Sequence, residues 1–145
     1  MDSSISNLPN PREKRLIPEA FLAGIPIGLL TAAVVYMNEF PDHESDKATG
    51  KNTLIVVFGP ERARAGYVAL IASAFVSIVI MALNGTLPML SLIALLAVYF
   101  GYTATKTLYK YYNNRLLQPA NWGTIIMHSV TGILLTIGIW LGNSL

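Results

Sequence analysis

The chain contains no cysteine. A disulfide framework and a thiolate metal site are both excluded by that absence. Charge is scarce as well: Asp, Glu, Lys and Arg make up 12% of the 145 residues, where a soluble domain carries about a quarter. Aspartate is rarer still, with Asp2, Asp42 and Asp46 the whole complement. What is abundant is apolar: 53% of residues are hydrophobic and the mean hydropathy is +0.51. These values describe an integral membrane protein. The formal net charge of +2 is too small to point to nucleic acid, because a modest Lys and Arg excess is normal in membrane loops. The polar N-terminal stretch, with Pro9 and Pro11, lacks the basic, apolar, small-residue order of a cleavable signal peptide.

Residues 1–16 read as a polar leader or exposed loop. Four apolar runs follow, at about 18–37, 66–83, 87–104 and 122–141, each near the roughly 20 residues that cross a bilayer as a helix. The expected fold is therefore an all-α membrane bundle of four transmembrane helices. Asn84-Gly85-Thr86 is a short turn, so the second and third spans should form a tight antiparallel hairpin. Two polar connections remain, 38–63 and 105–121. The first carries Lys47, Lys51 and Arg62, and the second Lys106, Lys110 and Arg115. The opposite ends carry no Lys or Arg at 84–86 or 142–145, so the positive-inside rule places both long loops in the cytoplasm. Arg12, Lys14 and Arg15 of the leader then fall on the outer side, against the rule. Tyr36, Tyr102, Tyr109, Tyr111, Tyr112 and Trp122 collect at the cytoplasmic interface as an aromatic belt. Ala23, Gly24, Gly28, Ala32, Gly132 and Gly138 supply small-residue faces that suit close helix contact in lipid.

The chemistry concentrates in 38–63. Five of the eight acidic residues lie there: Glu39, Asp42, Glu44, Asp46 and Glu61. Carboxylates at a membrane boundary are costly and tend to be functional. Asn38, Asp42 and Asp46 recur every four residues, which on a helix puts them on one stripe. Pro41 either breaks that helix at Phe40 or opens a new helical segment, and in both cases Asp42 and Asp46 stay one turn apart. Two such carboxylates repel unless a cation lies between them. Oxygen donors of this kind suit Mg²⁺, which is held by one or two carboxylates plus phosphate oxygens. Lys47 and Lys51 are spaced to offer charge to that phosphate, and Gly50 to end the helix. The competing reading is a solvated mixed-charge loop capping a membrane helix.

Residues 38–54, Asn-Glu-Phe-Pro-Asp-His-Glu-Ser-Asp-Lys-Ala-Thr-Gly-Lys-Asn-Thr-Leu, resemble the second aspartate-rich motif of the UbiA family of membrane prenyltransferases. The order D-x-x-x-D-x-x-x-G-K-x-T-L is more specific than the aspartate pair alone. Val57-Phe58-Gly59, the helix around Gly24–Leu30, and the stretches Leu117–Asn121 and His128–Gly132 extend the resemblance over nearly the whole chain from about residue 12. The N-E-F-P-D form is most similar to the branch that prenylates 1,4-dihydroxy-2-naphthoate in menaquinone synthesis. The resemblance implies a bundle of about nine helices, of which 17–145 would be the C-terminal half. It implies Mg²⁺ as cofactor, and as substrates a polyprenyl diphosphate and an aromatic acceptor. Asp42 and Asp46, with Asn38, match the metal-binding positions, and Lys47 and Lys51 the diphosphate contacts. The family's first aspartate-rich motif has no counterpart, so the resemblance also implies that another chain, or a longer one, supplies the other half of the site.

His128, two turns into the last span, reads either as an acid–base group for the acceptor phenol or as a helix–helix hydrogen-bond partner. His43 reads as solvated and Glu19 as interfacial. Lys106, Lys110, Tyr109, Tyr111, Tyr112, Asn113, Asn114 and Arg115 form a basic aromatic segment, either a flap over the diphosphate or an interfacial anchor. The alternatives to an enzyme are a non-catalytic four-helix subunit that needs a partner with the first motif, and a small transporter. A transporter predicts ionisable groups near mid-membrane, where only His128 comes close.

Overall fold

The computed structural model describes residues 11–144. The leader expected over 1–16 lies outside the described residues as far as residue 10, and so do the side chains of Arg12, Lys14, Arg15 and Glu19. Among the described residues there are helices and no strands: α1 (Pro11–Ala48), α2 (Leu54–Phe58), α3 (Pro60–Leu83), a 3₁₀ stretch (Met89–Ala97) running into α4 (Val98–Tyr111), a 3₁₀ turn (Arg115–Leu117) and α5 (Gln118–Ser144). Four segments are long and apolar enough to cross a membrane: Phe21–Ala48, Pro60–Leu83, Met89–Tyr111 and Gln118–Ser144. The expected four spans are present, but their helices are longer than the apolar runs. Helix α1 overruns its expected end at residue 37 by three turns. Connection 105–121 shrinks to 112–117, because α4 continues to Tyr111 and α5 starts at Gln118.

The core follows helical spacing. Leu30, Ala33, Met37 and Phe40 are buried along one stripe of α1, and Tyr67, Ile71, Ala74 and Ile78 along α3. Ala120, Thr124, Met127, Thr131 and Leu135 do the same on α5. On the third span the pattern changes period: Ser91, Ala94 and Ala97 are buried at every third residue, the repeat of a 3₁₀ helix, before Gly101, Ala104 and Leu108 resume the α spacing. Helix α5 packs against this stretch so closely that a Cβ at Gly138 would stand 2.6 Å from the Leu90 carbonyl oxygen. Gly24 and Gly28, expected to mediate contact, have nothing within 4 Å of where their Cβ atoms would be. Of the three glycines, close contact is thus made at Gly138 on α5 and not at Gly24 or Gly28 on α1.

The helix ends match the sequence signals. Gly50 adopts φ +74°, and the Lys51 amide donates to the Asp46 carbonyl at 2.9 Å, closing α1. Gly85 adopts φ +73° after Asn84, and the Leu87 amide donates back to Met81 at 3.0 Å, which builds the expected hairpin turn. Thr53 caps α2 by accepting from the Val56 amide at 3.3 Å. Pro60 opens α3 with Glu61 in its first turn.

Candidate diphosphate site

Whether Asn38, Asp42 and Asp46 share a face depends on Pro41, and α1 continues through it to Ala48. A proline inside a helix removes one backbone hydrogen bond at a cost of about 3 kcal/mol. Packing supplies the compensation, since Met37 and Phe40 in the turn just before it are fully buried. The three oxygen-bearing side chains thus lie on successive turns of one continuous stripe.

Each has a different environment. Asp42 is exposed and has no ion pair among the described residues. Asp46 is sheltered, with its side chain 13% exposed, and takes Lys51 Nζ at 3.2 and 3.3 Å on its two oxygens. Asn38 Oδ1 accepts from Asn121 Nδ2 at 3.1 Å, which ties the stripe to the start of α5. Asn121 Oδ1 is buried without a partner among the described residues. Asn121 is the member that its residue type alone did not single out.

Lys47 and Lys51 part company. The Gly50 turn separates them: Lys51 folds back on Asp46, while Lys47 stays exposed on α1 without an ion pair among the described residues. His43 is half-buried rather than solvated, and its Nδ1–H donates to the Phe40 carbonyl at 2.8 Å. It borders a cavity of about 350 Å³ with Glu44, Tyr112 and Asn114. On the other flank, two apolar grooves of about 490 and 630 Å³ share Tyr36, Leu54 and Leu70, and the larger opens at Lys51.

The basic aromatic segment packs on α3 through Arg64. The Arg64 guanidinium lies 4.6 Å from the Tyr109 ring centre and 4.4 Å from that of Tyr112, and donates to the Tyr109 carbonyl at 3.2 Å. Lys110 sits over Tyr111 at 4.9 Å. Tyr109 and Tyr112 are thereby engaged with α3, which brings 38–64 and 109–121 together at one end of the bundle. Inside the span, His128 Nε2 meets Thr31 Oγ1 at 3.1 Å, the helix–helix pairing that was one of its two readings.

The donor set fits a hard cation. Asp42 and Asp46 offer carboxylate oxygens and Asn38 an amide oxygen, and the orphaned Asn121 Oδ1 lies next to Asn38. No group of three or more His, Cys, Asp or Glu side chains that could hold a metal gathers among the described residues. Two carboxylates do not make a closed cage, but they suit an ion that takes its remaining ligands from phosphate and water.

A comparison with curated proteins found no match, and neither did one with solved structures. The model of one protein family does match, over residues 13–125, which take in the aspartate stripe, the Arg64 anchor and Asn121. With a membrane bundle that carries an oxygen-rich stripe at the end of a spanning helix, that match settles the kinship: the chain belongs to the UbiA prenyltransferase family.

Proposed function

We propose that the protein transfers a polyprenyl group from its diphosphate to an aromatic quinone precursor, with 1,4-dihydroxy-2-naphthoate the acceptor favoured by the N-E-F-P-D sequence. The observation that carries the reading is the unbroken α1 stripe through Pro41, with Lys51 drawn to Asp46. Asp42 and Asp46, assisted by Asn38, hold Mg²⁺. When bound, the ion neutralises charge building on the leaving diphosphate. Lys51 is already beside Asp46 and can turn to a phosphate oxygen at little cost, because exposed ion pairs are worth about 1 kcal/mol or less. Lys47 offers a second, unpaired cation. The apolar grooves flanking α2 suit an isoprenoid tail lying beside Lys51. Both polar ends, 38–63 and 105–121, face the cytoplasm, which puts the diphosphate where a soluble synthase would deliver it. The remaining walls of the site come from further helices, in this chain's own extension or in a partner.

The test is transfer of labelled prenyl groups in phospholipid vesicles holding the chain together with the further helices that complete its site, with Mg²⁺ and the naphthoate. Wild type should transfer, and chelation should stop it. Asp42→Ala and Asp46→Ala should each reduce transfer at least as far as loss of a charge-stabilising group does, about 10²-fold or more. Full activity in both variants would falsify the metal assignment.

A further inference from the structure

We infer that the open groove between α4 and α5 seats an anionic phospholipid, with an acyl chain in the groove and the phosphate at Lys106 and Lys110. The groove holds about 520 Å³ and is lined by Phe100 and Thr103 of α4 and by Gln118, Trp122 and Ile126 of α5. Its walls offer little to a polar ligand. Thr103 Oγ1 donates to the Phe100 carbonyl at 2.9 Å and Thr107 Oγ1 to the Thr103 carbonyl at 3.0 Å, so both hydroxyls turn into their own helix. Trp122, 60% exposed, stands at the rim, and an indole so placed marks a membrane boundary.

Charge lies beside the groove. Thr103, Lys106 and Lys110 recur at i, i+3 and i+7, which puts both lysines on the stripe of α4 that forms one wall. Their height follows from a helix contact: a Cβ at Gly123 would stand 3.2 Å from Ala104 Cβ. Counting outward along the two antiparallel helices, Trp122 is level with Thr105 and Gln118 with Tyr109. Each lysine is thus about one residue's rise, roughly 1.5 Å, from the height of a lining residue. Both are exposed, and neither has an ion pair among the described residues. Lys110 Nζ rests only on the Tyr111 ring, 4.9 Å from its centre.

Carboxylates do not compete here. Residues 62–145 contain no Asp or Glu. Glu61 pairs with Arg64 at 3.5 Å, and Arg64 packs on Tyr109 and Tyr112, at another edge of α4. An isoprenoid diphosphate carrying Mg²⁺ would need carboxylates that α4 and α5 lack. An apolar slot with unopposed cations at its mouth instead matches an acyl chain that ends in a phosphate diester, since basic pockets between membrane helices hold anionic headgroups.

The test is quenching of tryptophan fluorescence by phospholipids brominated on the acyl chain, with the chain in mixed vesicles. Trp140→Phe leaves Trp122 as the only reporter. Brominated phosphatidylglycerol should quench Trp122 at about a tenfold lower mole fraction than brominated phosphatidylcholine at low salt. Joint substitution Lys106→Gln and Lys110→Gln should abolish that preference and leave quenching by the choline lipid unchanged, as a folded bundle requires. Trp140 lies about 27 Å along α5 from Trp122 and, read in Trp122→Phe, should not respond to the lysine substitutions. Equal quenching of Trp122 by the two lipids overturns the inference. So does a preference that survives the loss of both lysines, or one that falls equally at Trp140, which would reflect surface charge and not a site.

Discussion

Three glycine-to-alanine substitutions in spanning segments should give three different results, because a new methyl meets different neighbours. At Gly138 the Cβ would stand 2.6 Å from the Leu90 carbonyl oxygen and 2.7 Å from Ser91 Cα. Both are backbone atoms, so neither can rotate aside. The 3₁₀ stretch and α5 must separate by most of an ångström to reach ordinary contact, and a gap of that size forfeits roughly a quarter to a half of each dispersion contact around it. Overpacking of this kind costs about 1–3 kcal/mol. The alanine recovers about 0.5–1 kcal/mol of helix propensity. The net loss should be about 1–2 kcal/mol. At Gly101 the obstacle is Met127 Sδ at 2.7 Å, the end of a flexible side chain that repacks readily, so the two terms nearly cancel. At Gly28 nothing stands within 4 Å, and alanine should stabilise by up to about 1 kcal/mol. The assay is reversible unfolding in mixed micelles, followed by the fluorescence of Trp122 and Trp140. The expected order of stability is Gly28→Ala above wild type, Gly101→Ala level with it, and Gly138→Ala below. Equal stability of Gly138→Ala and Gly28→Ala would refute the claim that backbone contact sets this interface.

Arg64→Lys keeps the charge but loses the planar guanidinium between Tyr109 and Tyr112; thermal unfolding should show a loss of about 1–2 kcal/mol, and an unchanged Tm would mean that stacking contributes nothing there. Ser91→Ala removes a buried hydroxyl that has no partner among the described residues; it should stabilise by up to about 1 kcal/mol in the micelle titration, and destabilisation would show that the hydroxyl is hydrogen-bonded in the bilayer.

The spans were legible because twenty apolar residues in a row have few alternatives to a membrane helix. The Gly85 and Gly50 turns were legible because only glycine adopts those angles cheaply. The helix through Pro41 was not, since local preference puts a break there and the burial of Met37 and Phe40 decides otherwise. Asp42 and Asp46 were singled out by their spacing, whereas the Asn38–Asn121 and Thr31–His128 pairs exist only through α5 lying against α1, a relation that no local pattern encodes. The basic aromatic segment could be read as a flap or as an anchor because the residue that Tyr109 and Tyr112 pack on, Arg64, lies 45 residues away from Tyr109 along the chain.

The nine-residue 3₁₀ stretch before α4 has a consequence for how the protein sits in a bilayer. Its span, Met89–Tyr111, has 23 residues, while its packing partner Gln118–Ser144 has 27. At the α rise the shorter one would reach about 35 Å and the longer about 41 Å. A 3₁₀ turn climbs about 2.0 Å per residue, which stretches the shorter span to about 39 Å. The tighter winding thus equalises two unequal lengths of chain, so both helices meet the same two lipid surfaces without thinning the membrane or drawing polar ends into it.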